Sequence, residues 1–212
     1  MPRETDWILW ILIVATGLVA SLQYYRPKAF ANFKRTPFSP SKALADRSYS
    51  SQSGGFSFLT EILFYLVFPL FLSYALYGRE HLVMGGWMPY TRMVFASLLF
   101  FLSQSAMVYG ISWVFNSKDG FNRFQNQKSA IRNWLSLLFL PLLFLGVFSP
   151  LGDSTAWVLV SGVVIGIIYI SGVLIASTEI RKAENISVLH IILYLCTLEL
   201  GPLLVLVKIF IS

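Results

Sequence analysis

The 212-residue sequence has few of the residues on which soluble enzymes and disulfide-stabilised domains depend. Only 12% of its residues are charged, against about 25% in ordinary soluble domains. Its single cysteine, Cys196, excludes a disulfide scaffold. The common phosphate-loop, dinucleotide-loop, zinc-protease and serine-hydrolase motifs do not occur. We therefore expect no cofactor and no metal site, and the sequence favours a non-enzymatic protein without deciding that point.

Long apolar segments take the place of charge, since 56% of the residues are hydrophobic and the mean hydropathy is +0.68. Six segments approach the roughly 20 residues that a helix needs to cross a bilayer. They cover residues 7–25, 56–77, 90–115, 131–148, 155–177 and 186–211. None alternates with the period of a barrel strand, so helices are the expected solution in lipid. The sequence predicts an all-α, polytopic membrane bundle of about six spans in a single integral membrane domain, residues 1–212.

The basic residues predict how this bundle is oriented. Twelve of the 16 lysines and arginines fall in or beside the connections that follow the first, third and fifth segments. Basic connections stay in the cytoplasm, so both termini are expected outside. The charges before and after the first segment favour a retained helix over a cleaved signal peptide. Because the asymmetry accounts for the net charge of +6, the expected partner is the lipid bilayer and not nucleic acid.

The first connection, residues 26–55, is the longest polar stretch and mixes basic with aromatic residues. Two interpretations are open. The stretch is either a topology signal that rests on anionic headgroups, or a docking segment for a cytoplasmic partner.

Small residues and prolines inside the segments indicate how the helices pack. Gly162 and Gly166 lie four residues apart, a spacing that lets helix backbones approach closely within a chain or between copies. Pro69, Pro141 and Pro202 lie inside the second, fourth and sixth segments and predict helix kinks.

Two carboxylates fall inside the predicted membrane segments, Glu61 and Glu199. A charge at the bilayer centre costs about 2.5–3.5 kcal/mol on insertion scales, so such residues indicate a function or a strong structural need. Matching depths predict two pairs, Glu61 with His190 and Gln104 with Glu199. These pairs are either hydrogen-bonded locks between helices or a site for an ion, a proton or a ligand.

The last segment carries a motif that resembles the C-terminal signature of a membrane family found mainly in Bacteroidota and known as a domain of unknown function. The motif comprises His190, Tyr194, Leu195, Cys196, Thr197, Leu198, Glu199, Pro202, Leu203, Leu204 and Lys208. Less specific similarities occur at residues 32–33, 113–116 and 140–142. Gly201 departs from the family pattern, which has a bulky aliphatic residue before the proline. The resemblance implies a bacterial inner membrane and no mechanism, and it adds Tyr194 to the candidate site.

Two classes of function follow from these observations. The first is a non-enzymatic subunit or scaffold of a larger envelope assembly, with protein partners or further copies of this chain. The alternative is a small transporter or proton-coupled channel that uses the intramembrane Glu, His and Gln side chains. The absence of an internal repeat disfavours common transporter architectures.

Overall fold

The computed structural model describes residues 6–35, 54–84, 87–114, 118–150 and 154–184, which form helices and no strand. In chain order these helices are α1 (Asp6–Tyr25), α2 (Pro27–Arg35), α3 (Gly54–Met84), α4 (Met88–Val114), α5 (Lys118–Phe148) and α6 (Thr155–Glu184). The predicted all-helical class is confirmed for these parts of the chain.

Four helical segments are long and apolar enough to cross a membrane. They are Asp6–Tyr25, Gly55–Gly78, Gln125–Phe148 and Ala156–Ile175. These segments correspond to the first, second, fourth and fifth predicted spans and support a membrane-embedded helical bundle. The third predicted span coincides with α4, which is not among the four, and the sixth, residues 186–211, lies outside the described residues. The six-span count and the placement of both termini therefore stay predictions.

Helices α3 and α5 form the centre of the bundle, because their apolar residues recur at helical spacing and face each other. The buried set on α3 is Leu63, Val67, Leu70 and Tyr74, and the set on α5 is Leu135, Phe139, Leu143 and Val147. Within this core the Phe71 and Phe139 ring centroids lie 4.8 Å apart. Helix α3 also packs against α1 and α4, whereas α6 packs against α5. In lipid, close packing of this kind is a main source of helix association.

Two glycines allow neighbouring helices to approach closely. A Cβ on Gly146 of α5 would lie 3.0 Å from Cζ of Tyr74, whose hydroxyl donates to the Gly146 carbonyl at 3.4 Å. A Cβ on Gly172 of α6 would lie 3.0 Å from Cγ2 of Ile131 in α5. At these two positions hydrogen is the only side chain that fits without a shift.

The observed break in α3 occurs at a glycine. Pro69 and Pro141 lie inside α3 and α5 respectively, and Pro202 lies outside the described residues. The non-helical backbone in α3 is at Gly78, with φ 72° and ψ 172°. Only glycine adopts this combination readily, so Gly78 ends the apolar segment of α3.

The first connection, a polar stretch in the sequence, begins with a helix. Pro27 starts α2 directly after α1, and the amide of Phe30 donates to the carbonyl of Arg26 at 3.0 Å. Proline suits the first helical position, because its φ is preset and its missing N–H needs no partner there. Phe30 and Phe33, three residues apart, are both buried against the bundle. Their burial explains why a mostly polar stretch is helical here.

Candidate functional site

Polar and charged side chains from three helices meet between α3, α4 and α5. We call this group the polar layer. It consists of Thr60 and Glu61 from α3, Gln104 from α4, and Lys128, Arg132 and Asn133 from α5. Lys128 and Arg132 are one helical turn apart, so both lie on the same face of α5.

Arg132 is the most highly connected residue of the polar layer. Its Nη2 donates to Oε1 of Glu61 at 2.7 Å and to Oγ of Ser129 at 3.2 Å. The Arg132 side chain is 11% exposed, whereas the Glu61 side chain is 42% exposed. A short charge-assisted contact of this kind joins α3 to α5 directly.

Three aromatic rings surround the same guanidinium. Its Cζ lies 4.7 Å from the ring centroid of Phe101, 5.1 Å from that of Phe64 and 5.7 Å from that of Tyr65. The faces of aromatic rings attract cations within about 6 Å. The rings therefore stabilise the charge of Arg132 in a place where water has little access.

Gln104 contacts the second cation of the polar layer. Nζ of Lys128 donates to Oε1 of Gln104 at 3.3 Å, and both residues are buried. Next to this pair, Nε2 of Gln125 donates to Oγ of Ser105 at 3.3 Å. These contacts join α4 to α5 as the ion pair joins α3 to α5.

Asn133 of α5 is the polar-layer residue that contacts Thr60 of α3. Its Nδ2 donates to Oγ1 of Thr60 at 3.4 Å. Three of the buried polar atoms that have no hydrogen-bond partner among the described residues lie in or beside the polar layer: Nε of Arg132, Oδ1 of Asn133 and Oε1 of Gln125. Buried polar atoms usually have partners, so these three mark where a further polar group would be favourable.

Residues 8–210 match the protein family described as "Domain of unknown function (DUF4271)". The chain belongs to DUF4271. Comparison with curated proteins found no match, and comparison with solved structures found none either. The DUF4271 match includes every residue of the polar layer and extends over the predicted C-terminal motif.

The structure places two of the five predicted site residues of this DUF4271 chain. Glu61 and Gln104 both lie in the polar layer, where each contacts a basic residue of α5. His190, Tyr194 and Glu199 lie outside the described residues. The predicted pairs of Glu61 with His190 and of Gln104 with Glu199 therefore stay predictions.

Sequence reasoning missed Lys128 and Arg132 as site residues, because it counted both only as signals of orientation. One sequence feature pointed to Arg132. It lies at the start of the predicted span of residues 131–148, and Glu61 lies near the same end of its own span. A carboxylate inside a membrane segment is best matched with the first basic residue at its own depth.

The predicted packing glycines have open surroundings. A Cβ at Gly162 or Gly166 would meet nothing within 4 Å among the described residues. Gly162 is exposed and Gly166 is half-buried, so neither is closely packed against another described helix. Contact with another helix at this place stays a prediction.

The chemistry of the polar layer is that of charge pairing and hydrogen bonding. Within the described part of the chain, no three His, Cys, Asp or Glu side chains are grouped so that they could hold a metal ion. Two cationic groups, one carboxylate and several amides are instead arranged between the helices. Such a group can fix the positions of three helices relative to one another, or hold a small polar or anionic species.

Proposed function

We propose that this protein is a multi-pass protein of the inner membrane of a Bacteroidota bacterium and a non-enzymatic subunit of a larger envelope assembly. The observation that carries the proposal is the direct contact of Arg132 with Glu61 between α3 and α5. The resemblance of its C-terminal motif supports the bacterial origin, and its apolar helices support the membrane location.

The ion pair favours a structural role for the polar layer. Glu61 is bound to the guanidinium at 2.7 Å, and three rings surround that guanidinium. The Arg132 side chain is only 11% exposed, so removing Glu61 leaves a largely buried charge without compensation, and the pair opposes separation of the two helices. A site that takes up and releases ions would need this contact to open in each cycle.

Helix α6 offers the surface on which a partner helix would pack. Its large exposed apolar side chains are Leu159, Val160, Val163, Val164, Ile167, Ile170, Leu174 and Ile175. Gly162 lies among them with open space around its Cα. In lipid, association is favoured where small residues let backbones approach, so we assign the partner contact to this face.

The test is purification of the tagged full chain in mild detergent, followed by identification of the proteins that copurify. We expect a stable partner, or a second copy of the chain, at a fixed ratio. The variant G162L/G166L fills the open space on α6, and we expect it to lose the partner while its melting temperature is kept.

The matched control is Gly17→Leu, because Gly17 of α1 is also an exposed helical glycine with nothing within 4 Å of its Cβ position. We expect this variant to retain the partner. A purified wild-type chain that is monomeric and free of other proteins would contradict the proposal. So would equal loss of the partner in both variants.

A transport site is the second candidate, favoured by the buried atoms of Arg132, Asn133 and Gln125 that have no partner among the described residues. Proteoliposomes separate the two proposals. A structural pair predicts no proton or ion flux above that of empty vesicles, in the wild-type chain and in Glu61→Gln alike. A flux in the wild-type chain that Glu61→Gln abolishes would replace the subunit proposal with the transport proposal.

A further inference from the structure

Helix α2 has two unlike sides. Phe30 and Phe33 are 3% and 1% exposed, and they pack with Leu22 of α1 and Phe56 of α3. The ring centroids of Phe33 and Phe56 lie 5.7 Å apart in an edge-on arrangement. Because the apolar side is occupied by the protein itself, α2 lies against the bundle with its polar side turned outward.

The outward side is basic. Residues 26–35 contain four lysines and arginines and no acidic residue. Lys28 and Lys34 are exposed, and the Lys34 ammonium is held 4.8 Å from the centroid of the Phe30 ring. The Lys34 carbonyl accepts a hydrogen bond from Nε1 of Trp134 at 3.2 Å, which joins the last turn of α2 to α5. The two ammonium groups are therefore carried on a backbone that is joined to the core.

The aromatic residues around α2 are of the types that concentrate at membrane surfaces. The apolar segment of α1 ends at Tyr25, two residues before α2 begins. Tyr24 and Tyr25 are 81% and 78% exposed, and Trp134 contacts α2 from the side of α5. Tyrosine and tryptophan concentrate where hydrocarbon meets headgroups.

We propose that α2 is an interfacial helix that binds anionic phospholipid headgroups through Lys28 and Lys34. The lipid phosphate would lie against the ammonium groups, while Phe30 and Phe33 keep the helix on the bundle. Lysines near a charged membrane surface attract anionic lipid and lose that attraction at high salt. This inference needs the membrane location only, and it holds whether or not α6 binds a partner.

The test uses the purified full chain in nanodiscs of phosphatidylcholine with increasing phosphatidylglycerol, with bound lipids counted by native mass spectrometry. We expect the wild-type chain to retain phosphatidylglycerol in preference to phosphatidylcholine. We expect K28Q/K34Q to lower that preference on the order of tenfold, and K28R/K34R to keep it. Higher salt should weaken the wild-type preference.

The matched control is K118Q/R123Q, which removes the same number of positive charges from the beginning of α5. We expect the lipid preference of this variant to stay close to that of the wild-type chain. An equal loss in both variants would overturn the proposal, because general charge would then account for the binding. Equal retention of the two lipids by the wild-type chain would overturn it as well. A third contrary result is competition by soluble glycerol phosphate at concentrations similar to those of the lipid.

Discussion

Arg132 is the residue on which the polar layer depends most. It contacts Glu61, Ser129 and three aromatic rings, and it is far less exposed than the carboxylate with which it pairs. Arginine suits this position better than lysine, because a planar guanidinium can stack on rings while its N–H groups donate in its own plane. The unequal exposure means that loss of the ion pair leaves the guanidinium of Arg132 more enclosed by protein than the carboxylate of Glu61.

The first prediction concerns this pair. In a double-mutant cycle of Glu61→Gln and Arg132→Gln in detergent, we expect a coupling energy of about 1 kcal/mol, since the carboxylate of Glu61 is only partly buried. Arg132→Lys should lose stability although its charge is kept, because the ring contacts need a planar group. Unfolding of the purified chain in detergent measures each value. Additive effects of the two Gln substitutions would contradict a direct pair.

Glycines determine how closely α6 approaches its neighbour α5 along its length. Gly172 brings α6 against Ile131 of α5, whereas Gly162, further along α6, faces open space among the described residues. The same residue type therefore has two roles on one helix. Spacing along the sequence does not separate them, because each lies in an equally apolar context.

The second prediction tests the closer of these approaches. We expect Gly172→Ala to destabilise the chain by about 1–3 kcal/mol, because the new methyl group would lie 3.0 Å from Cγ2 of Ile131. Ile131→Ala removes the side-chain atoms that clash, so the double variant should be more stable than the sum of the single changes predicts. Thermal unfolding in detergent measures all three variants.

Gly166→Ala is the control for that series, since its methyl group would meet nothing within 4 Å among the described residues. Alanine is the better helix former, and this control should be neutral or slightly stabilising. If Gly166→Ala lowered the stability as much as Gly172→Ala does, the close contact with Ile131 would not explain the effect at Gly172.

The described residues form a helical bundle, and the basic residues are unevenly distributed along the sequence. Twelve lysines and arginines accompany the connections after the first, third and fifth predicted spans. Among the described residues, α2, the beginning of α3 and the polar layer belong to these basic parts of the chain or pack against them. The basic residues here differ in their surroundings. Lys28 and Lys34 are exposed on α2, whereas Arg132 and Lys128 turn inward to join helices.

The third prediction concerns topology. In a Cys196→Ser background, single cysteines at Pro2 and Ser212 should react with a membrane-impermeant maleimide in cells whose outer membrane alone is opened. A cysteine at Ser41, in the first connection, should react only after the inner membrane is opened. Reaction of the two termini from opposite sides would show an odd number of spans and contradict the six-span prediction.

Composition and hydropathy alone determined the helical class and the four apolar segments that the structure supports. The helical class can be predicted in this way because lipid leaves the backbone few alternatives to the helix. The segments can be predicted because the length of an apolar run sets the length of the helix that crosses the bilayer. The sequence also identified Glu61 as a candidate site residue, because a carboxylate in an apolar run is costly wherever it points. The resemblance to a domain of unknown function agrees with the family match over residues 8–210, whereas the C-terminal motif itself stays a prediction.

Only the tertiary structure decided what Glu61 and Gln104 contact, and that α2 is a helix. Arg132 is 71 residues from Glu61 in the chain, and Lys128 is 24 residues from Gln104. No local pattern determines which basic residue turns inward, because that depends on the rotation of α5 against α3 and α4. Helix α2 is equally dependent on the fold, since a nine-residue helix is marginal alone and Phe56 and Trp134 supply the surface on which it forms.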